Sequence, residues 1–296
     1  MVFPAPPPLL AYASSVYREV VGSLATRHGK RVAIGPPLRR RLGLRLRVAD
    51  VDTDVLGTFT GEVPRPGPAD EVVVTKARLG MAATGCPVGV ASEGSFGPHP
   101  ALPWCTLQVE HVALVDDRIG LVLVERATST ASNHGELVTD GADRGALLRF
   151  AREVGLPGHA VTVRPAAPPA GVAYPLVKGI VRVPALLAAV AGAVGASADG
   201  RARVAADLRA HHNPRRMAVI AQAAGRLAER LATPCPACDA PGFGVVGTVP
   251  GLPCADCHTP TELPGGRILG CARCPHRVTR PAEAPADPRW CPRCNP

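Results

Sequence analysis

The chain has 296 residues, 46% of them hydrophobic and 3% aromatic, with a formal net charge of +9 at pH 7. That apolar content excludes a disordered polyampholyte and supplies core material for one sizeable domain plus a small one. No run approaches the roughly 18 uninterrupted apolar residues that span a bilayer, and Met1 to Leu10 lacks a basic start and a small-residue cleavage site, so a cytoplasmic protein is expected. The positive charge suits an anionic partner, such as a nucleotide, a nucleic acid or a phosphate-bearing substrate. Heavy Ala, Arg, Gly and Pro usage, the imprint of a GC-rich genome, accounts for the same charge without a partner.

In chain order, residues 1–14 form an N-terminal segment, and Val16 to Leu24 reads as a first strand or the start of a helix. A polar break, Thr26-Arg27-His28-Gly29-Lys30, follows. Pro36 to Leu42 suits a helix opening on Pro-Pro, and Leu44 to Val48 alternates apolar and basic residues as a half-buried strand does. Asp70 to Thr84 reads as a helix with Val72, Val73, Ala77, Gly80 and Met81 on one face. Val88 to Ala91 is a short buried strand running into a Gly-rich turn, Ser92 to Gly97. Leu107 to Val115 and Gly120 to Arg126 make a hairpin around Asp116-Asp117-Arg118. Gly145 to Val154 is helical, Ala160 to Arg164 extended, Val183 to Val194 a core helix, and Met217 to Leu231 a helix with Asn213 as N-cap and Pro214 behind it. This alternation predicts an α/β domain over 15–232, with a mixed twisted sheet and flanking helices, that completes its own core before Pro234.

Residues 233–296 hold four Cys-x-x-Cys pairs: Cys235/Cys238, Cys254/Cys257, Cys271/Cys274 and Cys291/Cys294. Two thiolates at that spacing bite one ion, and a tetrahedral site takes two such pairs, so the tail is expected to be a small zinc-ribbon-like domain with two structural Zn²⁺. Sequential pairing, the first two pairs on one ion and the last two on the other, closes the shortest loops; a cross-braced arrangement is the alternative. Cys86 and Cys105 stay outside both sites.

Three polar clusters could carry chemistry. Thr26, His28 and Lys30 offer a hydroxyl, a bare Gly29 amide and cations after a strand end, a set suited to phosphate, although the spacing is not that of a Walker loop. Glu93, with Ser92 and Ser95 beside it between glycines, could hold Mg²⁺ or cap a helix. Arg209, His211 and Arg215 gather near the start of the last long helix, where dipole and guanidinium both favour an anion.

In order, these clusters resemble the inosine triphosphate pyrophosphatase superfamily of house-cleaning enzymes. Leu24 to Lys30 is similar to its Thr-x-Asn-x-x-Lys loop, Gly57-Thr58-Phe59-Thr60 to its Thr-Phe segment, Lys76-Ala77 to its Lys-Ala helix, Ser92-Glu93-Gly94-Ser95 to its acidic motif, and His211 to Ala218 to its last motif. Arg27-His28 stands where that family has Asn, and a single Glu93 where it has paired aspartates. The resemblance implies phosphate contacts from Thr26, His28 and Lys30, a metal-binding Glu93 with Lys76 as charge partner, and nucleotide contacts from His211 and Arg215. Gly94 to Pro98, His211-x-Asn213-Pro214-x-Arg216-Met217 and the final Cys294-Asn295-Pro296 also resemble an uncharacterised bacterial family of unknown function with the same four-pair tail.

Two functions are therefore expected as alternatives. One is Mg²⁺-dependent hydrolysis of a nucleotide or related phosphate compound, with Glu93 and Lys76 catalytic. The other is a non-catalytic protein that binds a nucleotide in the core, or nucleic acid or protein through the zinc tail.

Overall fold

The structure, a computed structural model, describes residues 16–58, 62–168 and 174–296. The N-terminal segment and Phe59-Thr60 lie outside them. The first sheet has five strands: β1 (Val21–Ala25), β2 (Arg45–Ala49), β3 (Val88–His99), β4 (Leu102–Asp116) and β5 (Leu121–Ser129), in the order β2-β1-β3-β4-β5. β1 runs parallel to both neighbours, while β3, β4 and β5 form an antiparallel meander. The chain leaves β1 for β2 on one side, then crosses back over β1 to reach β3. Such opposite crossovers place their helices on opposite faces. α1 (Arg31–Leu42) accordingly packs with α5 (Pro214–Leu231) on one core, and α2 (Ala69–Thr84) on the other.

α1 begins at Arg31 rather than at Pro36 and carries both prolines inside. Each removes one i→i−4 hydrogen bond. Burial of Ala33, Ile34, Leu38 and Leu42 in the core offsets that loss, and Gly43 in the left-handed region ends the helix. The Gly-rich stretch after Ala91 is not a turn either. β3 continues through it to His99, paired residue by residue with β4 as far as Pro98, where the register shifts. Gly94 explains the sequence there: a Cβ at that position would stand 2.6 Å from Arg216 Nη2 and 2.6 Å from Glu110 Oε2.

Residues 136–206 form a second, four-stranded antiparallel sheet in place of a continuation of the first. Its strands are β6 (Glu136–Thr139), β7 (Val161–Pro165), β8 (Val177–Ile180) and β9 (Ala202–Ala206), in the order β6-β9-β7-β8. α3 (Arg144–Val154) and α4 (Val183–Gly195) contribute Leu147, Ala151, Leu186 and Val190 to its core. The molecule is thus mixed α/β, with two sheets in the span where one was expected. Among the described residues no helix is long and apolar enough to cross a membrane.

The tail is a three-stranded antiparallel sheet of β10 (Gly244–Val249), β11 (Gly266–Gly270) and β12 (Arg277–Pro281). It leans on the first core at 232, where no bare seam exists. Ala272 packs against that core, a Cβ on Gly242 would touch Leu121 and Leu123, and Arg230 pairs with Glu125 at 2.6 Å while donating to the Gly242 carbonyl.

Candidate functional site: a cationic cleft and two cysteine clusters

The crevice where crossovers leave a parallel strand pair in opposite directions is the customary ligand position of an open α/β sheet. Here it lies beyond the ends of β1 and β3, with Ala25 paired to Ala91. Thr26 to Lys30 follow β1, and Ser92 and Glu93 extend β3 past the end of its partner. A cavity of about 80 Å³ opens there, lined by Thr26, His28, Lys30, Lys76, Ser92, Glu93 and Arg209 among others. Seven of the ten expected core site residues therefore share one cleft.

Lys30 is 7% exposed and lines the cleft. Its Nζ donates to the Ser92 carbonyl at 3.3 Å, and no carboxylate lies within ion-pair distance of it among the described residues. Burial first, then the Arg216 charge, pulls its pKa down to about 8. It also stands at the N-cap of α1, whose first turn has no acidic residue and no side-chain cap. Ser92 Oγ is buried without a partner on the same wall. A helix start without a side-chain cap or an acidic first turn, and an ammonium with no carboxylate at ion-pair distance, both favour an oxyanion.

The neighbouring charges are matched. Lys76 Nζ meets Glu93 Oε2 at 2.6 Å, Arg65 lies 3.7 Å from Glu93 Oε1, and Lys178 closes on Glu62. Arg209 grips Asp207, whose carboxyl is opposed by burial but held below its usual range by the Arg209 hydrogen bonds. His28 stacks on His211 with ring centroids 4.9 Å apart. Burial, then the Lys30 charge, lowers the His28 pKa to about 3, so its ring is neutral near pH 7. Burial and then the His212 charge lower His211 as well.

Ser95 sits in an adjoining cleft of about 250 Å³ that shares Gly57, Thr58 and Glu93 with the first. Arg215 is exposed and outside the lining; its neighbour Arg216 is the inward residue, fully buried and paired with Glu110 at 2.6 Å. The N-cap decides this. Asn213 accepts from the Arg216 amide, and Arg216 then falls on the apolar stripe of Val219, Ile220, Ala223 and Leu227. That stripe was readable in the sequence. Lys178 and Arg65, from other elements, had no local signal.

The cysteines form two sets of four, Cys235, Cys238, Cys271 and Cys274, and Cys254, Cys257, Cys291 and Cys294, each with its sulfurs within 4.8 Å of one another. Cys86 and Cys105 belong to neither. Closest sulfur pairs lie 3.5 to 3.9 Å apart, matching the roughly 3.8 Å edge of a tetrahedron with Zn–S bonds of about 2.3 Å. Both sets could therefore hold a metal ion such as zinc. The pairing is cross-braced, which corrects the sequential expectation. Sheet register is the reason: Gly244 opposite Gly270 brings the first and third knuckles to one end, and Gly266 opposite Pro281 puts the second and fourth at the other. Pro234 bridges Pro241 and Pro253 bridges Pro260, so the first two knuckles are built alike. Asp239 and His258 take positive φ just after each, at 57° and 58°.

A family profile described as Domain of unknown function (DUF6671) matches residues 76–296, well over half of the chain. The chain belongs to the DUF6671 family. The DUF6671 match opens at Lys76 and covers Glu93, Arg209, His211 and all eight tail cysteines, whereas Thr26 to Lys30 precede it. No curated protein and no solved structure matches the chain, so no match supports the resemblance to the pyrophosphatase superfamily.

Proposed function

We propose that the cleft beyond β1 and β3 binds a phosphate-bearing small molecule, in its finer form a nucleotide, while zinc in the two cysteine sets holds the tail together. Lys30 carries the reading: a buried cation without a carboxylate, on a cavity wall, at an uncapped helix N-terminus. An incoming phosphoryl oxygen supplies the missing charge at the positive end of α1 and accepts from the Lys30 ammonium. Glu93 is read as the counter-ion of Lys76. For it to ligate Mg²⁺, as metal-dependent hydrolysis of the bound ester requires, Lys76 would have to release it. Binding is accordingly favoured over turnover.

Calorimetry with inorganic phosphate and a panel of nucleoside phosphates, with and without Mg²⁺, tests both forms. Binding that Lys30→Met abolishes, independent of Mg²⁺, supports the reading; unchanged binding by Lys30→Met refutes it. Phosphate release that requires Mg²⁺ and Glu93 would restore the hydrolase. A separate reading for the tail rests on Arg267, which faces Arg280 across β11 and β12 with neither in an ion pair among the described residues. Together with Trp290, 62% exposed, they support contact with nucleic acid or protein.

A further inference from the structure

In the second sheet, β7 and β9 pair Val163 with Val204 and Arg164 with Arg203. The valines are fully buried in the core beneath α3 and α4, so the alternating arginines project to the opposite face. Two like charges directly across an antiparallel ladder repel each other unless something compensates them. Compensation is incomplete. Arg203 Nη1 bonds Glu136, but its Nε is buried with no partner, and Arg164 has no ion pair or side-chain hydrogen bond among the described residues. Both line a cavity of about 170 Å³ whose rim includes His134 and Thr162. Two arginines and one glutamate therefore line one space, with the unpartnered Arg203 Nε buried behind it.

Two chain segments run from this cavity to the Lys30 cleft. Leu208 lines one and Arg209 the other; Leu176 and Lys178 do the same two residues apart. Between the Glu93 side and His134, the Phe96 ring stacks on His134 with centroids 6.0 Å apart. We propose that Arg164 and Arg203 form a second oxyanion site, and that the ligand spanning both cavities is a small organic bisphosphate with one phosphoryl group at each. The second site stands on its own residues; the spanning ligand rests also on the Lys30 reading.

Calorimetry on the full-length protein separates the two. With inorganic phosphate, the wild type is expected to bind two equivalents, and Lys30→Met and Arg164→Met one each, with unchanged circular dichroism. A nucleoside 3′,5′-bisphosphate should bind one to one, at least about 100-fold tighter than phosphate, and lose at least about tenfold in either variant. Loss in Lys30→Met but not in Arg164→Met overturns the second site and leaves the first reading standing. Loss in Arg164→Met alone upholds the second site and overturns the Lys30 reading. Two phosphates bound with no gain for the bisphosphate overturns the spanning ligand. No phosphate binding at all overturns both.

Discussion

Lys76 Nζ lies 2.6 Å from Glu93 Oε2, and each side chain is 7% exposed. Removing one partner of a buried ion pair leaves a charge without its counter-charge, at a cost of about 3–5 kcal/mol. Glu93→Gln should lower the stability of the protein by that order in urea unfolding. Lys76→Met combined with Glu93→Gln should recover much of the loss, because neither member of the buried pair is then left without the other. A double variant as unstable as Glu93→Gln alone would show that the pair is not the source.

Lys30 and His28 both make stability rise with pH, in two separate windows. Lys30 has its pKa lowered from 10.5 to about 8, so the unfolded chain binds more protons between those values and ligand-free stability should rise with pH across that window. Phosphate affinity should fall as pH climbs above about 8 and the ammonium is lost. His28 has its pKa lowered from 6.5 to about 3, so the neutral ring's contribution is complete above pH 6.5 and is lost on acidification toward 3. Unfolding of Lys30→Met and His28→Gln across pH checks each window; persistence of the wild-type slopes would argue against these assignments.

Metal content reads out the pairing of the knuckles. The native tail should carry two zinc ions. Cys238→Ser with Cys271→Ser strikes one set twice and should leave one ion bound. Cys238→Ser with Cys257→Ser strikes both sets and should leave fewer, with cobalt substitution showing loss of four-sulfur charge-transfer bands in both. Sequential sites would give the reverse order.

Gly94→Ala should be destabilising by about 1–3 kcal/mol, since its Cβ would press on the fully buried Arg216 and Glu110 side chains. Gly97→Ala, with nothing within 4 Å, provides the control in the same strand. Equal melting temperatures for the two variants would contradict the packing described.

What the sequence made legible were features with a local cause. Periodicity located α2, the later helices and the β4–β5 hairpin, and the apolar face of α2 matches residue for residue, with Lys76 added to it. Regular spacing exposed the knuckles, and the Thr26 to Lys30 break marked the cleft. Non-local causes were not visible. Gly94 and Gly97 read as turn residues because the Arg216–Glu110 pair that demands a bare backbone at Gly94 comes from two other elements. The second sheet is made of strands only four or five residues long, too short for alternation to declare itself. Loop length favoured sequential cysteine pairing, but strand register outranks it.

Interleaved ligand sets leave the tail without a neutral seam. Two tandem sites would tolerate a cut between Cys257 and Cys271, each half departing with its own ion. Here that same cut divides both sets, and any scission from Cys238 to Cys291 divides at least one. With a metal ion in each set, a protease that nicks the segment between the second and third knuckles would leave two fragments still clasped through both ions. Release would follow chelation rather than cleavage.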